Sequence, residues 1–314
     1  MIHIMMATYN GEKYICEQIE SILAQTYHEW KLFISDDGSN DHTIEIINKY
    51  QEMYPNKIFI LESRNTFHNA KDNFSYLLKK IPEAEYYTFC DQDDIWLIDK
   101  LEKMLYTLQK RQIKNIVLAY HDMLVGENLE KTKHLSYYEY TKINLNTANS
   151  LQQTLLYNTI PGCSMLFNHE LRKRIVDIPR ECFMHDWWVL LVALCSQGQI
   201  IFVNKTLSLY RQHAENQIGV VVKPGMKYVF EKTVSFFKIV QYHKNNIIMK
   251  KVRICQAKQL LKRYGRTMDG KNKELLETFI TILMSKNKLW AYKTAKENKF
   301  IFYNKMYTLK FLFI

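Results

Sequence analysis

Over its first hundred or so residues the chain alternates four times between a short apolar run and a stretch with helical spacing. Ile2–Thr8 is the first run, broken by Asn10-Gly11, and Ile15, Ile19, Ile22 and Leu23 then recur at helical intervals. Trp30–Ser35 is the second run, followed by a helix face of Ile44, Ile47, Tyr50 and Met53. Lys57–Leu61 is the third, followed by a helix from about Asn69 to Lys80 that should bury Phe74, Leu77 and Leu78. Tyr86–Cys90 is the fourth, and another helix follows from about Asp99 to Lys110. Parallel strands need long crossovers, and helices are the usual ones. The alternation therefore predicts an α/β fold: a doubly wound, mostly parallel sheet with helices on both faces and right-handed crossovers.

In such sheets ligands bind beyond the carboxyl ends of the strands. Three polar clusters fall on those ends: Thr8-Tyr9-Asn10, Asp36-Asp37 and Asp91-Gln92-Asp93-Asp94. Segments dozens of residues apart should thus meet in space. In the loop after Asp36-Asp37, Asp41 is placed to cap the next helix. Asp91–Asp94 carries the most chemistry, because three carboxylates crowd the end of an apolar strand. Like charges repel and each costs free energy to desolvate, so the cluster needs a positive partner. Mg²⁺ or Mn²⁺ is the simplest, since hard cations take oxygen ligands and are commonly shared with a substrate's phosphates. The alternative is an acidic loop that merely leads into the next helix. Neither G-x-G-x-x-G nor G-x-x-x-x-G-K-[ST] is present, which argues against dinucleotide and P-loop chemistry.

Beyond Asn115 the pattern is less regular. Ile116–Asp122 reads as a strand, Leu124–Leu151 as polar and variable, and Pro161-Gly162-Cys163-Ser164 as a tight turn before Met165-Leu166-Phe167. Gly162 serves either that turn alone or a close approach to substrate. His185-Asp186 precedes Trp187–Leu194, which reads as a buried helix. Asp186 can be a helix cap, or an ionised carboxylate beside an apolar wall, which is what a general base for a hydroxyl requires. Ile200–Val203 reads as a strand and Leu207–His213 as extended, so Arg211 and His213 share a face. Arg offers a forked donor suited to phosphate and neutral His a metal ligand; both also occur as ordinary surface residues.

Taken together, Thr-Tyr-Asn-Gly (8–11), Asp-Asp-Gly-Ser-Asn-Asp (36–41), Asp-Gln-Asp-Asp-Ile-Trp (91–96), His-Asp-Trp-Trp (185–188) and Tyr-Arg-Gln-His (210–213) resemble glycosyltransferase family 2. The resemblance covers about residues 1–218. It implies a GT-A fold, a nucleotide-sugar donor and transfer with inversion. The last two motifs are most similar to those of bacterial rhamnosyltransferases that build surface polysaccharides, which favours rhamnose from dTDP-rhamnose over a hexose from a UDP-sugar. Carried over by position, Thr8 and Tyr9 would lie against the nucleotide and Asp36 would bind the pyrimidine edge. Asp91, the first acid of a D-x-D motif, would contact the ribose or the metal shell, and Asp93 would ligate the divalent cation. Asp186 would be the catalytic base, Arg211 would hold the diphosphate and His213 would be a metal ligand. In the Asn65–Asn73 stretch both asparagines fit the family, His68 stands where a small residue is common, and Lys71 is within reach of the donor.

The formal net charge of +11 is unevenly spread. Residues 225–314 hold 20 Lys and Arg against 5 Asp and Glu, which leaves the first part near −4 and the tail near +15. The expected division is a transferase domain at 1–218 and a basic, mainly helical extension at 219–314. Phe230, Val234, Phe237 and Val240, then Leu260-Leu261, Leu275-Leu276, Phe279, Ile282 and Leu283, mark its helices, and Phe300–Ile314 is aromatic and basic. A basic amphipathic tail suits an anionic membrane; it could equally cover a core or join two copies. The implied acceptor is a saccharide or lipid-linked oligosaccharide on the cytoplasmic leaflet, with the enzyme cytoplasmic or peripheral and no nucleic-acid partner. A non-catalytic binder of anionic polymer is the competing class. None of the six cysteines forms a C-x-x-C pair, as suits reduced thiols. Met1–Met6 lacks the marks of a signal peptide, and the longest apolar stretch, Trp187–Cys195, falls well short of the ~20 residues that span a bilayer.

Overall fold

The computed structural model describes residues 1–62, 66–111, 115–127, 136–141, 143–213 and 236–301. The sheet is built from β1 (Ile2–Thr8), β2 (Trp30–Asp36), β3 (Ile58–Ile60), β4 (Tyr86–Asp91), β5 (Ile95–Trp96), β6 (Val117–Gly126), β7 (Met165–Asn168) and β8 (Gln199–Arg211). Its spatial order is β3-β2-β1-β4-β7-β6-β8-β5. The first four runs pair in parallel as expected, with β1 central between β2 and β4. The other half is mixed. β7 runs antiparallel to both β4 and β6, β6 runs parallel to β8, and β5 is antiparallel to β8.

Helices α1 (Ile15–Leu23), α2 (Thr43–Met53), α3 (Ala70–Lys80) and α4 (Lys100–Gln109) are the crossovers of the first half. Further helices are α5 (Tyr137–Thr141), α6 (Leu151–Leu156), α7 (His169–Ile175), α8 (His185–Cys195), α9 (Phe236–Tyr264), α10 (Gly270–Met284) and α11 (Lys288–Glu297). The pleat of β1 shows how both faces are covered. Ile4 and Met6 pack with Ile15, Ile19, Ile47 and Leu101 in one apolar cluster. Met5 points the other way, into a larger cluster with Phe74, Phe89 and the α8 side chains.

Three boundaries differ from the sequence reading. Asp41 does not cap its helix directly: α2 starts at Thr43, and Asp41 accepts from the Thr43 backbone N at 3.0 Å and from Glu12 N at 3.1 Å. The two segments expected at 200–203 and 207–213 form one strand, whose pairing with β6 is interrupted around Asp122. The extra β8 residues there twist the strand. Asp186 lies inside the first turn of α8, after Met184.

α8 is apolar all round, and that is why it is buried all round. Trp187, Trp188, Val189, Leu190, Leu191, Val192 and Ala193 are at most 3% exposed. Part of the basic extension packs on it: Leu260, Leu275, Leu276, Phe279, Ile282 and Leu283 belong to the same cluster as Trp188 and Leu190. Leu260 of α9 and the expected apolar face of α10 thus cover a core, while the side chains of Phe237 and Val240 lie outside the described residues. Phe230 and Val234, the 218/219 boundary, and all but the start of the Phe300–Ile314 end lie outside the described residues, and so does Asn65. No described helix is long and apolar enough to cross a membrane.

Shortening one α8 side chain tests this core. Leu191→Ala should lower the free energy of unfolding by about 2–5 kcal/mol, read as a lower urea midpoint at unchanged slope.

Candidate active site

The carboxyl ends of β1, β2 and β4 open onto a cavity of about 550 Å³. Thr8, Tyr9, Asp37, Asn73, Asp91, Gln92 and Asp93 line it on the side of those strands and α3. Gly162, His185 and Asp186 line it near the start of α8, with Tyr157, Phe183, Met249 and Arg253 beyond them. A second cavity of about 520 Å³ opens on the other side of Asp93, lined by Tyr9, Glu12, Tyr14, Gln92 and His213 among others.

Gln92 fixes the acidic loop to the first strand end. Its Oε1 accepts from Tyr9 N at 2.8 Å, and its Nε2 donates to Tyr9 O at 2.9 Å. Gly11 makes room for this bridge, because a Cβ there would stand 2.5 Å from Gln92 Oε1. In the sequence Gln92 is only a letter in a motif. An amide that both donates and accepts is the signal, since only Asn and Gln can clasp one residue's N–H and C=O together.

Asp93 is gripped by Arg211, the last residue of β8, and by His213 just after it. His213 Nε2 lies 2.8 Å from Asp93 Oδ2, and Arg211 Nε donates to Asp93 O at 2.9 Å. Arg211 also bonds Glu17 through Nη2 and sits 4.9 Å from the Tyr14 ring centre, while His213 stacks on Tyr14 at 4.4 Å. Arg211 is buried and lines neither cavity. It braces Asp93 in this structure, whereas the family resemblance had it facing the diphosphate.

Below the loop lies a buried group. Asp91, Asp94 and Cys163 bring ligand atoms within 4.8 Å of one another. Burial first, then the Asp93 and Asp186 charges, push Asp91 up to about 7, and burial with its acidic neighbours pushes Asp94 well up. The cation that answers this group is Lys100. It is fully buried, donates to Cys163 O at 2.8 Å and lies 3.8 Å from the Trp96 ring centre. Desolvation draws its ammonium down to about 8. An ammonium already in place makes this group an internal charge cluster. The carboxylate and imidazole better suited to an added cation are Asp93 and His213, where an oxygen and a ring nitrogen lie 2.8 Å apart beside the cavity.

Asp186 is held as a carboxylate needs to be. Its Oδ2 accepts from Gly162 N at 3.2 Å and its Oδ1 from Trp187 N at 2.6 Å. Burial raises it to about 6, against the lowering expected from the helix N-terminus; desolvation outweighs the backbone hydrogen bonds. It remains mostly ionised at neutral pH. Gly162 is needed for closeness as well as for the turn, since a Cβ would stand 2.8 Å from His185 Nε2 and 3.3 Å from Asp186 Cβ. His185 packs on Phe74 and Phe89, and burial drops it to about 3, so it is neutral.

Thr8, Tyr9, Asp91, Asp93 and Asp186 therefore converge on one cavity, with His213 adjoining through Asp93. Besides Arg211, two expected residues sit elsewhere. Asp36 lines neither cavity; its carboxylate accepts from Thr8 Oγ1, Gly38 N, Ser39 N and Ser39 Oγ and closes its own loop. Asp37, one residue on, faces the cavity and accepts from Phe67 N and from Asn69 N. Lys71 donates to Arg180 O at 2.6 Å and pairs with Asp72, away from the lining. Met249 and Arg253 were not legible as site residues, because lysines surround them and no motif marks them.

A strand-end cavity with a D-x-D loop on one side and a carboxylate at a helix start on the other is the layout of a sugar-transferring enzyme. Residues 3–174 match the family described as Glycosyl transferase family 2, and the chain belongs to that family. It is 34% identical over 237 residues to the dTDP-rhamnosyl transferase RfbG of Shigella flexneri, a match covering 71% of this chain and 76% of that protein. The fold is similar to that of S. aureus TarS 1-349 in complex with UDP-GlcNAc, with a TM-score of 0.59 and 14% identity over 95% of this chain and 80% of that one. It is also similar to the mannosyltransferase PcManGT from Pyrobaculum calidifontis in complex with GDP-Man and Mn²⁺, with a TM-score of 0.56 and 15% identity over 95% and 73%.

The raised Asp186 carboxyl makes a stability prediction with a definite sign. Its folded pKa of about 6 lies above the ordinary value of 3.8, so the folded state binds the extra proton between them. The contribution is present below pH 4 and lost as pH rises through 6. The Tm of Asp186→Asn relative to the parent should therefore be higher at pH 8 than at pH 4.5. An unchanged difference across that range would place the carboxyl in an ordinary solvated setting.

Proposed function

We propose that the chain transfers rhamnose from dTDP-rhamnose, with inversion, to a hydroxyl of a growing lipid-linked surface polysaccharide at the cytoplasmic face of the membrane. The donor is supported by the identity to a dTDP-rhamnosyl transferase. The single observation that carries the chemistry is Asp186, oriented by two backbone N–H groups across the same cavity as Asp91 and Asp93.

Thr8, Tyr9 and Asp37 are proposed to hold the nucleotide, with Asp37 replacing Asp36 at the pyrimidine edge because Asp37 is the one that faces the cavity. Asp91 lies toward the ribose. Asp93 and His213 fit a divalent cation, Mg²⁺ or Mn²⁺, which would supply neutralising charge for the leaving diphosphate. Arg211 acts through Asp93, fixing its backbone and ion-paired to Glu17. Lys71 is assigned to the frame, through its bond to Arg180 O.

Asp186 takes the proton of the acceptor hydroxyl as that oxygen bonds to the anomeric carbon. The bond from that carbon to the diphosphate oxygen breaks at the same time, and the nucleoside diphosphate leaves. Attack from the face opposite the leaving group inverts the centre, and no covalent enzyme intermediate is needed. The donor side is occupied by nucleotide, so the acceptor must enter beyond Asp186, between Tyr157, Phe183, Met249 and Arg253. Arg253 is oriented there by donating from Nε to Leu156 O at 2.7 Å.

Three measurements test this reading. Asp186→Asn should keep dTDP binding and lose transfer by about 10²–10⁴-fold, the usual worth of a placed base; transfer near the parent rate removes the base. The acidic limb of the pH–rate profile should fall through about pH 6, because only the ionised carboxylate accepts a proton. In a thermal-shift panel, dTDP with Mn²⁺ should stabilise the protein more than UDP with Mn²⁺. Asp93→Ala should lose the metal-dependent part of that shift. A larger shift with UDP would redirect the donor to a UDP-hexose, and a full shift without metal would remove the Asp93 role.

A further inference from the structure

The corner between α10 and α11 is unlike the rest of the extension. The core is already supplied by Leu276, Phe279, Ile282, Leu283, Ala291 and Ala295. Between these, Met284 is 60% exposed, Leu289 77% and Trp290 42%. Asn287 fixes the corner by accepting from Trp290 N at 3.0 Å, so Leu289 and Trp290 stand on a capped helix start, and Met284 ends the helix before it. Single exposed apolar residues are ordinary, but a cluster is not.

α9 adds to the same surface. The side chain of Lys250 meets that of Lys288, the first residue of α11, which brings two amines together. Burial, with the Lys288 charge beside it, lowers Lys250 below its usual value. Ile247 lies one turn before Lys250 and Lys251 on α9, and it and Ile248 are exposed. Lys286 and Lys251 are exposed as well. Neighbouring ammonium groups repel each other, and an anion between them relieves the repulsion. Bulky apolar and aromatic side chains among amines, on a segment with 20 basic and 5 acidic residues, match the interface of an anionic bilayer in both polarity and charge.

We propose that Ile247, Lys250, Met284, Lys288, Leu289 and Trp290 form a docking surface for anionic phospholipid, with Leu289 and Trp290 entering the headgroup layer and the lysines meeting phosphate. α9 couples this surface to the cavity, because Met249 and Arg253 on a neighbouring face of the same helix line it. Docking would hold the acceptor side of the cavity close to the leaflet that carries a lipid-linked acceptor. That purpose rests on the function proposed above; the lipid contact itself does not.

Flotation of the full chain with phosphatidylcholine vesicles, with and without phosphatidylglycerol, tests the surface. The parent should float with the anionic vesicles and remain behind with the neutral ones. Leu289→Glu/Trp290→Glu and, separately, Lys250→Gln/Lys288→Gln should each reduce the floated fraction on the order of tenfold. Both pairs should keep the parent's melting temperature and its thermal shift with dTDP and Mn²⁺. Parent-like flotation of both variants overturns the docking surface, even if dTDP binding is intact. Loss of a parent dimer in the Leu289/Trp290 variant, without any vesicle binding by the parent, also overturns it and makes the face a contact between copies. Vesicle binding with no nucleotide shift would instead leave the surface standing and remove the transferase reading.

Discussion

One buried ammonium allows the acidic strand end to exist. Lys100 lies beneath the loop, on the Trp96 ring and bonded to the Cys163 carbonyl, and its charge acts on Asp91 and Asp94. Two unit charges about 4 Å apart interact by about 4 kcal/mol at the effective dielectric of a protein site. Lys100 lowers Asp91 and Asp94 against the burial and the neighbouring carboxylates that raise them. The ammonium is itself drawn down by burial while the two carboxyls raise it, so the two sides pull each other toward their charged forms and burial outweighs both effects. The same lysine joins three segments distant in sequence: the end of β4, the start of α4 and the Gly162–Ser164 turn. It thus positions the turn whose Gly162 N–H orients Asp186.

From that point the site divides into two rigid halves. The donor half is clasped from the side by Gln92 on Tyr9 and from behind by Arg211 on Asp93. The other half is carried by α8, whose first turn presents Asp186 while its remaining turns are locked in the core. A site built on strand ends and a buried helix loses little order when substrate binds, so binding energy remains for the transition state. The cost is visible as carboxyls raised to about 7 and about 6. Such raised groups oppose folding at neutral pH and are tolerated because the core beneath α8 is large.

The first half of the fold was legible because its two periodicities are clean. Runs of strand type separated by helical faces, with polar residues at each run's end, leave few topologies once crossover handedness is imposed. The second half was not, for identifiable reasons. β7 is only four residues long and antiparallel, so no crossover pattern announces it. β8 reads as two pieces because its extra residues near Asp122 break the alternation. In the site, the acids were legible because buried like charges are conspicuous in a sequence. Their partners were not: Lys100 reads as one more lysine at a helix start, and Arg253 as one more cation in a basic helix. Asp36 and Asp37 show the limit most directly, since adjacent residues point to opposite sides of a strand end. Only coordinates tell which one faces the cavity.

The extension changes what the basic charge means. Its inner faces complete the core around α8, so part of it folds with the transferase layers. Among the described residues the charge is therefore carried on helices that pack against the core. A packed basic surface fixes orientation as well as attraction, and orientation matters if the acceptor is the lipid-linked one proposed above. α9 serves both ends of that requirement, with Arg253 turned to the cavity and Lys250 turned to the α11 corner. The two are three residues apart, less than one turn of helix, so a rotation of α9 that moved one would move the other. Acceptor contact and surface contact are on this account a single mechanical unit.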